Sequence, residues 1–401
     1  MEFICTSCHA NKSELLIDLG LSAIANEYPS SKSDSPEAVY SLQVHICKSC
    51  EWMNVSPQFE EDVIFKKNYA YASGVSETWK QHCRKFAQEF ALKLNLGKNS
   101  QVVEVASNDG TLLKAFQNTG ARLLGIEPTE SVANIAIADG IETEINFLSE
   151  NFAKEFINKY GHSDLVVANN VLAHVPDPND FVRALKLLAG ENGVISIECP
   201  DALNMIKLGQ FDTIYHEHFS YITLRSLTSL LNRNGLKIIE VNEVSIHGGS
   251  LRVLATDVLS GFATSVHSLP REIENSDIKV FQEVSYTRRR KLVDFLITEK
   301  LEGRKVIGFG AAAKGATLLN FAGIGRDLIE SVIDNGKLKQ GKRLPGTGIP
   351  IVSMENGLDE NPDVIIILAW NITSEIQNQI QKSLWKGKLV STYPEFQVTL
   401  I

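Results

Sequence analysis

From Gln101 onward the chain alternates short apolar runs with helical patterns, and that alternation restricts the fold more than any other feature. Apolar runs fall at Val102–Ala106, Arg122–Ile126, Leu165–Ala168 and Gly193–Glu198. Helical spacing lies between them, around Leu112–Gln117, Ser131–Ala138, Phe147–Lys159 and Pro178–Leu188. Such alternation builds βαβ crossovers and a mostly parallel sheet covered on both faces. Leu224–Asn232 then reads as a helix, and Leu236–Val244 and Ser250–Thr256 as an antiparallel pair joined through Ser245–Gly249. A long charged helical stretch, Glu272–Leu301, precedes a second α/β pattern: Lys305–Gly308, Ala312–Phe321, Leu328–Ile333, Val364–Leu368 and Lys388–Val390. Before all of this, Trp79, Cys83, Phe86, Phe90 and Leu94 recur at helical spacing.

The first fifty residues follow another logic. Cys5-x-x-Cys8 and Cys47-x-x-Cys50 are two knuckles that together supply four thiolates, the donor set of one tetrahedral zinc. Met1–Trp52 is too short to stabilise itself by a core alone, so a metal staple fits. Four thiolates close the coordination sphere and make the zinc structural. Cys83 and Cys199 stand alone and read as small buried hydrophobes. The net charge of −9 comes without a basic run, which argues against a nucleic-acid or anionic-membrane partner. No apolar run approaches the ~20 residues that span a bilayer, and the start Met-Glu-Phe-Ile-Cys lacks the pattern of a signal peptide. A cytoplasmic protein with reduced thiols is expected.

Val102–Leu113 reads as strand, tight turn and helix start, with Glu104 in the strand and a small polar turn at Ser107, Asn108, Asp109 and Gly110. Backbone in such a turn can approach a ligand closely. Glu127, followed by Pro128, ends the next strand, where an acid can accept from both hydroxyls of a ribose. Asn169 and Asn170 end a further strand, at the sheet edge where ligands of such folds bind. Two ligands compete for this cradle, NAD(H) and S-adenosylmethionine. The turn lacks the glycine fingerprint that a pyrophosphate needs, and Asp109 suits a cationic ligand. S-adenosylmethionine is the better fit. Taken singly, these residues also serve as ordinary turn and cap positions.

Tyr215-His216-Glu217-His218 sets four acid/base-capable side chains in a row. The second α/β unit carries Gly308-x-Gly310-x-x-x-Lys314-Gly315 between a strand and a helix, an imperfect Rossmann fingerprint. Lys314 and neighbouring amides suit a pyrophosphate, and Asp334-Asn335 after the next strand suit a ribose or base. The competing reading is a helix packed closely on its sheet through small residues. Arg252 is a candidate anion contact, although a strand arginine often only meets solvent.

These motifs together resemble the sugar C-methyltransferases that act on nucleotide-linked 4-keto-6-deoxyhexoses. The resemblance covers essentially the whole chain. It rests on the paired CxxC, Ser107-Asn-Asp-Gly110, Asn170-Val-Leu-Ala-His174, Tyr215-His-Glu-His218, His247-Gly-Gly-Ser-Leu-Arg252, Gly308-Phe-Gly-Ala-Ala-Ala-Lys-Gly315, Lys339-Gln-Gly341 and Leu344-Pro-Gly346. The parallel sheet ending in an antiparallel pair matches the class I methyltransferase arrangement. The resemblance implies three units, which we place at 1–66 (zinc-binding), 67–258 (S-adenosylmethionine-binding) and 259–401 (Rossmann-like, holding the nucleotide sugar). It also implies methylation at sugar carbon 3 in deoxysugar biosynthesis.

Carbon 3 lies alpha to the keto group, so its proton can leave to give an enolate. His218 is assigned as the base. In an extended segment Glu217 points away from His218 and shares a face with Tyr215, where it anchors the sugar or tunes the site. His174 is assigned as a donor to the carbonyl oxygen, and Tyr69 or Tyr71 as a contact to the sugar or to the developing charge. His216 receives no role. A monomer or weak oligomer is expected. An NAD-using epimerase or oxidoreductase, and a non-catalytic sugar-nucleotide-binding protein, remain the alternatives.

Overall fold

The computed structural model describes residues 3–31, 36–56, 59, 74, 77–244, 248–264 and 270–401. Tyr69, Tyr71 and His247 lie outside the described residues. Along the chain, β1 (Ser13–Ser22), β2 (Tyr40–Cys47) and β3 (Met53–Ser56) come first. They are followed by β4 (Gln101–Val105), β5 (Arg122–Ile126), β6 (Glu142–Glu144), β7 (Leu165–Asn169), β8 (Val194–Pro200), β9 (Ser220–Tyr221), β10 (Leu236–Val244) and β11 (Ser250–Asp257).

The central sheet has the order β10-β11-β8-β7-β4-β5-β6. Strands β8 to β6 in that order run parallel, and β11 and β10 add an antiparallel edge. Strand β4 is buried at every position, as a strand covered by helices on both faces must be. The crossover helices begin at sequence-encoded caps. Asp177 accepts from the amides of Asn179 and Asp180, with Pro178 in the first turn, and Thr223 forms a capping box with Ser226.

The third sheet contains β12 (Val306–Phe309), β13 (Val332–Ile333), β14 (Ile351–Val352), β15 (Val364–Ile367), β16 (Lys388–Ser391) and β17 (Gln397–Leu400). Its order is β14-β13-β12-β15-β16-β17, parallel except for β17. The expected strand Leu328–Ile333 shrinks to β13, because Leu328 and Ile329 donate their amides back to Gly325 O in a turn. Strands β6, β14 and β17 were not anticipated; each is an edge strand of two to four residues, too short to display a period-two pattern. The long helix begins at Asn275 rather than Glu272, behind a Glu274/Asp277 capping box.

The N-terminal sheet is antiparallel, in the order β1-β2-β3-β9. Its last strand comes from the central segment, with Tyr221 opposite Met53 and Ser220 opposite Asn54. Leu16, Leu42 and Met53 share one core with Phe281, Leu292 and Leu319 of the C-terminal segment. Cys5, Cys47 and Trp52 share another with Leu185 and Leu230 of the central one. The N-terminal segment therefore packs against both α/β units. No helix among the described residues is long and apolar enough to cross a membrane.

Candidate active site

The four knuckle thiols converge. Their sulfurs all lie within 4.8 Å of one another, with Cys5 to Cys50 at 3.7 Å and Cys8 to Cys47 at 3.5 Å. Zn–S bonds of about 2.3 Å in a tetrahedron set sulfurs roughly 3.8 Å apart, so the set fits zinc. Each knuckle closes alike. His9 and Glu51, just past the second cysteines, take left-handed backbone and donate to Cys5 O and Cys47 O.

The cofactor turn is held open by its own acids. Ala106 and Asn108 adopt positive φ of 54° and 52°, a conformation costly for non-glycine residues and typical of ligand clamps. Glu127 secures it, accepting from the amides of Asn108 at 2.9 Å and Thr129 at 2.7 Å. Asp109 turns away, accepting from Thr111 Oγ1 at 2.6 Å and the Gly74 amide at 2.7 Å. Gly110, at φ 71°, sits so close to Ala136 that a Cβ would approach that residue's Cβ to 3.1 Å. Asp109 and Gly110 thus shape the turn instead of lining the cavity.

The wall itself is poor in partners. Glu104 Oε2, Ser107 Oγ, both side-chain atoms of Asn169 and Asn170 Oδ1 are buried without a hydrogen bond among the described residues. Burial pushes the Glu104 carboxyl far up, and Asp109 and Glu127 add to it. Burial also raises Glu127. An acidic, donor-hungry cradle of this kind fits a cationic amino acid such as S-adenosylmethionine.

The cradle opens into a cavity of about 410 Å³ that also reaches His174, Tyr215, His218 and Tyr221, and, from the C-terminal unit, Ala312, Lys314 and Lys339. Glu104, Ser107, Asn108, Glu127, Pro128, Asn169 and Asn170 all line it. One cavity therefore joins most of the residues assigned to the methyl donor with His174, Tyr215, His218 and Lys314.

The segment Tyr215–His218 is not extended. The His218 amide donates to Tyr215 O at 3.1 Å, and this turn brings Tyr215 and His218 together instead of Tyr215 and Glu217. Tyr215 Oη lies 2.9 Å from His218 Nε2. Glu217 points out of the cavity, fully buried, and accepts from the Asn26 amide at 2.7 Å. His174 Nδ1 donates to Glu217 O at 2.7 Å. Burial pulls the His174 pKa down to about 4, so its ring is neutral and Nε2 is an acceptor, not the donor expected for a carbonyl oxygen. His216 is packed, with Nε2 bonded to Ser41 O.

In the C-terminal unit Lys314 Nζ is buried 4.0 Å above the Trp370 ring and has no hydrogen-bond acceptor among the described residues. Burial pulls its pKa down to about 8, against the pull of Asp212. Lys339 Nζ donates to Ala311 O. The other three side chains assigned to the substrate, Asp334, Asn335 and, in the central sheet, Arg252, are engaged elsewhere. Asp334 braces the loop, accepting from the amides of Ala311 and Gly336. Asn335 is exposed and bonds Gln379. Arg252 is buried in an ion pair with Glu198, 2.9 Å away in the neighbouring strand, backed by Glu89, and lies over Phe86. Its charge is spent inside the protein. Trp79, Phe147 and Tyr221 also line the cavity and were missed; Tyr221 stands three residues after His218, a spacing that was there to be read.

The sheet order and the cavity at its carboxyl edge define a class I methyltransferase. Three family models match in succession: a zinc binding domain over residues 5–65, a methyltransferase domain over 75–241, and a C-methyltransferase C-terminal domain over 245–394. C-methyltransferase NovU of Streptomyces niveus is 30% identical over 393 residues, 96% of this chain and 93% of that protein. The chain belongs to the C-methyltransferase family and is an S-adenosylmethionine-dependent enzyme with an N-terminal zinc-binding unit. A ubiquinone biosynthesis O-methyltransferase of Colwellia psychrerythraea is 24% identical over 158 residues, 36% of this chain and 63% of that protein. Among solved structures, magnesium protoporphyrin IX methyltransferase from Synechocystis with bound S-adenosylmethionine aligns over 50% of this chain and 99% of its own, at 14% identity and a TM-score of 0.39.

Proposed function

We propose that the enzyme methylates carbon 3 of a nucleotide-linked 4-keto-6-deoxyhexose through an enolate. The observation that carries this reading is the pairing of Tyr215 Oη and His218 Nε2, 2.9 Å apart on the wall of the cavity that also contains the cofactor cradle. A hydroxyl and an imidazole nitrogen that close together match the neighbouring carbonyl oxygen and acidic C–H of a ketone. As the sugar enters, the Tyr215 hydroxyl leaves Nε2 and donates to O4, and Nε2 takes the C3 proton. The electron pair of that C–H bond forms the C3=C4 bond, and the C4=O4 π pair moves onto O4, where the Tyr215 proton holds it. S-adenosylmethionine, when bound, supplies an electrophilic methyl group to C3. His218 then returns its proton to solvent.

On this reading Glu104, Asn169 and Glu127 hold the methyl donor, with Ser107, Asn108, Pro128 and Asn170 shaping its pocket. Lys314, a buried cation facing the cavity, holds the sugar's diphosphate, with Lys339 nearby. The division at 1–66, 67–258 and 259–401 assigns the zinc, the methyl donor and the nucleotide to successive units.

The test is solvent deuterium exchange at C3, followed by mass spectrometry across thymidine-, guanosine- and cytidine-diphosphate 4-keto-6-deoxyhexoses with S-adenosylmethionine. Exchange with gain of one methyl is expected for one of them. Exchange without methyl gain would favour an epimerase, and neither event across the panel would remove this substrate class.

A further inference from the structure

Tyr221 contributes a third ring to the Tyr215–His218 pair, and its hydroxyl has a single proton to give. That proton goes to Thr213 O, at 2.8 Å. A carbonyl only accepts, so the direction of this bond is fixed. Burial pushes the Tyr221 pKa well above its ordinary range, which keeps the phenol protonated. The two lone pairs of the same oxygen face the Tyr215 amide and His218 Nδ1, each at 3.2 Å. A lone pair can only accept, so Nδ1 carries the hydrogen. The other nitrogen, Nε2, then holds the lone pair of the neutral ring, and it is the one beside Tyr215 Oη.

We propose that Tyr221 is a positioning residue that fixes His218 in the Nδ1–H tautomer and so aims a basic Nε2 at the substrate. This rests on His218 being the base. The chain of donors runs one way: His218 Nδ1–H to Tyr221 Oη–H to Thr213 O. When Nε2 takes a proton, the imidazolium keeps its Nδ1–H bond to Tyr221, so the tautomer need not change during turnover. The Tyr221 ring is itself held. It is 5% exposed, and its backbone pairs with Met53 of the N-terminal sheet. Its hydroxyl is fully engaged by protein groups and acts on the reaction only through His218.

Full-length Tyr221→Phe keeps the ring and removes the oxygen. With the 4-keto-6-deoxyhexose of the panel that exchanges fastest, C3 deuterium exchange is expected to fall roughly 10- to 100-fold. S-adenosylhomocysteine affinity should be unchanged. The distinguishing readout is the ¹⁵N chemical shifts of His218, assigned by comparison with His218→Ala. They should report Nδ1–H in the wild type and a mixture of tautomers in Tyr221→Phe. Exchange within about twofold of wild type with an unaltered tautomer would overturn the inference, provided that His218→Ala is inactive. Should His218→Ala itself exchange the C3 proton, the assignment of the base fails instead. Were Tyr221→Phe not to fold, the wild-type spectrum alone decides: a ring protonated on Nε2 rules the proposal out.

Discussion

Tyr215 and His218 meet side by side, Oη to Nε2 at 2.9 Å, because a backbone turn replaces the extended segment between them. On the proposed mechanism, removing the imidazole removes the base. His218→Ala is expected to lose C3 exchange and methylation by at least ~100-fold while retaining S-adenosylmethionine affinity. Tyr215→Phe should lose methylation by ~100-fold or more, since the O4 charge is then unsupported. Calorimetric binding of the methyl donor beside turnover separates these effects from misfolding. Full turnover in either variant would remove that residue from the mechanism.

Lys314 predicts two pH dependences of opposite sign. Its folded pKa of about 8 lies below the ordinary ~10.4. Between those values the unfolded chain binds the extra proton, so this group's burial disfavours folding most below pH 8 and the penalty fades as pH rises toward 10.4. Anion binding runs the other way, because the ammonium is lost above about pH 8. Titration of substrate affinity from pH 7 to 9 should show weakening in the wild type. Lys314→Met should bind at least ~10-fold more weakly at pH 7 and lose that pH dependence. An identical pH profile in the two proteins would exclude Lys314 as the anion contact.

Arg252 should behave as a stability residue. Burial raises the Glu198 carboxyl, but His82 and Arg252 outweigh it and hold it below its usual range. Arg252→Ala strands a buried carboxylate and is expected to cost about 3–5 kcal/mol of stability. A depressed carboxyl pKa stabilises the fold above the unfolded value near 4 and loses that contribution as pH falls through the folded one. The wild type should therefore shed part of its stability below pH 4, and the variant less. Chemical denaturation at pH 7 and pH 3.5 checks both. A fold of wild-type stability with weakened substrate binding would restore Arg252 to the ligand.

The zinc site should matter to catalysis from outside the cavity, which the N-terminal unit reaches through Asn26 and not through its cysteines. Elemental analysis is expected to find about one zinc per chain, lost in Cys5→Ser or Cys47→Ser. Chelation should reduce C3 exchange before it reduces methyl-donor affinity, because β3 follows the second knuckle and pairs with β9, which carries Tyr221. Trp52 Nε1 reinforces the link, donating to Ser220 Oγ at 2.9 Å. A zinc-free, fully active protein would refute it.

The parts of the site encoded by local spacing were legible before the structure. Cys5-x-x-Cys8 fixes its own geometry, and the turn at Ser107–Gly110 follows from strand, turn and helix signals only a few residues apart. What escaped depends on partners remote in sequence. Arg252 is neutralised by strand register, which places Glu198 opposite it. Asp109 is drawn off by the amide of Gly74 and the Thr111 hydroxyl. The direction of Glu217 depended on whether its segment was extended or turned, and four polar residues with no period could not decide that. The donor role given to His174 failed on a tautomer, which a carbonyl across the loop dictates.

The pairing of β3 with β9 bears on how the protein is made. During synthesis the N-terminal sheet leaves the ribosome as three strands, with the free edge of β3 exposed until Ser220 and Tyr221 arrive. An unpaired edge invites pairing with other chains. Metal captured early by the four thiols would hold β2 and β3 in place through that interval, and expression under zinc limitation should then yield aggregate rather than an inactive monomer.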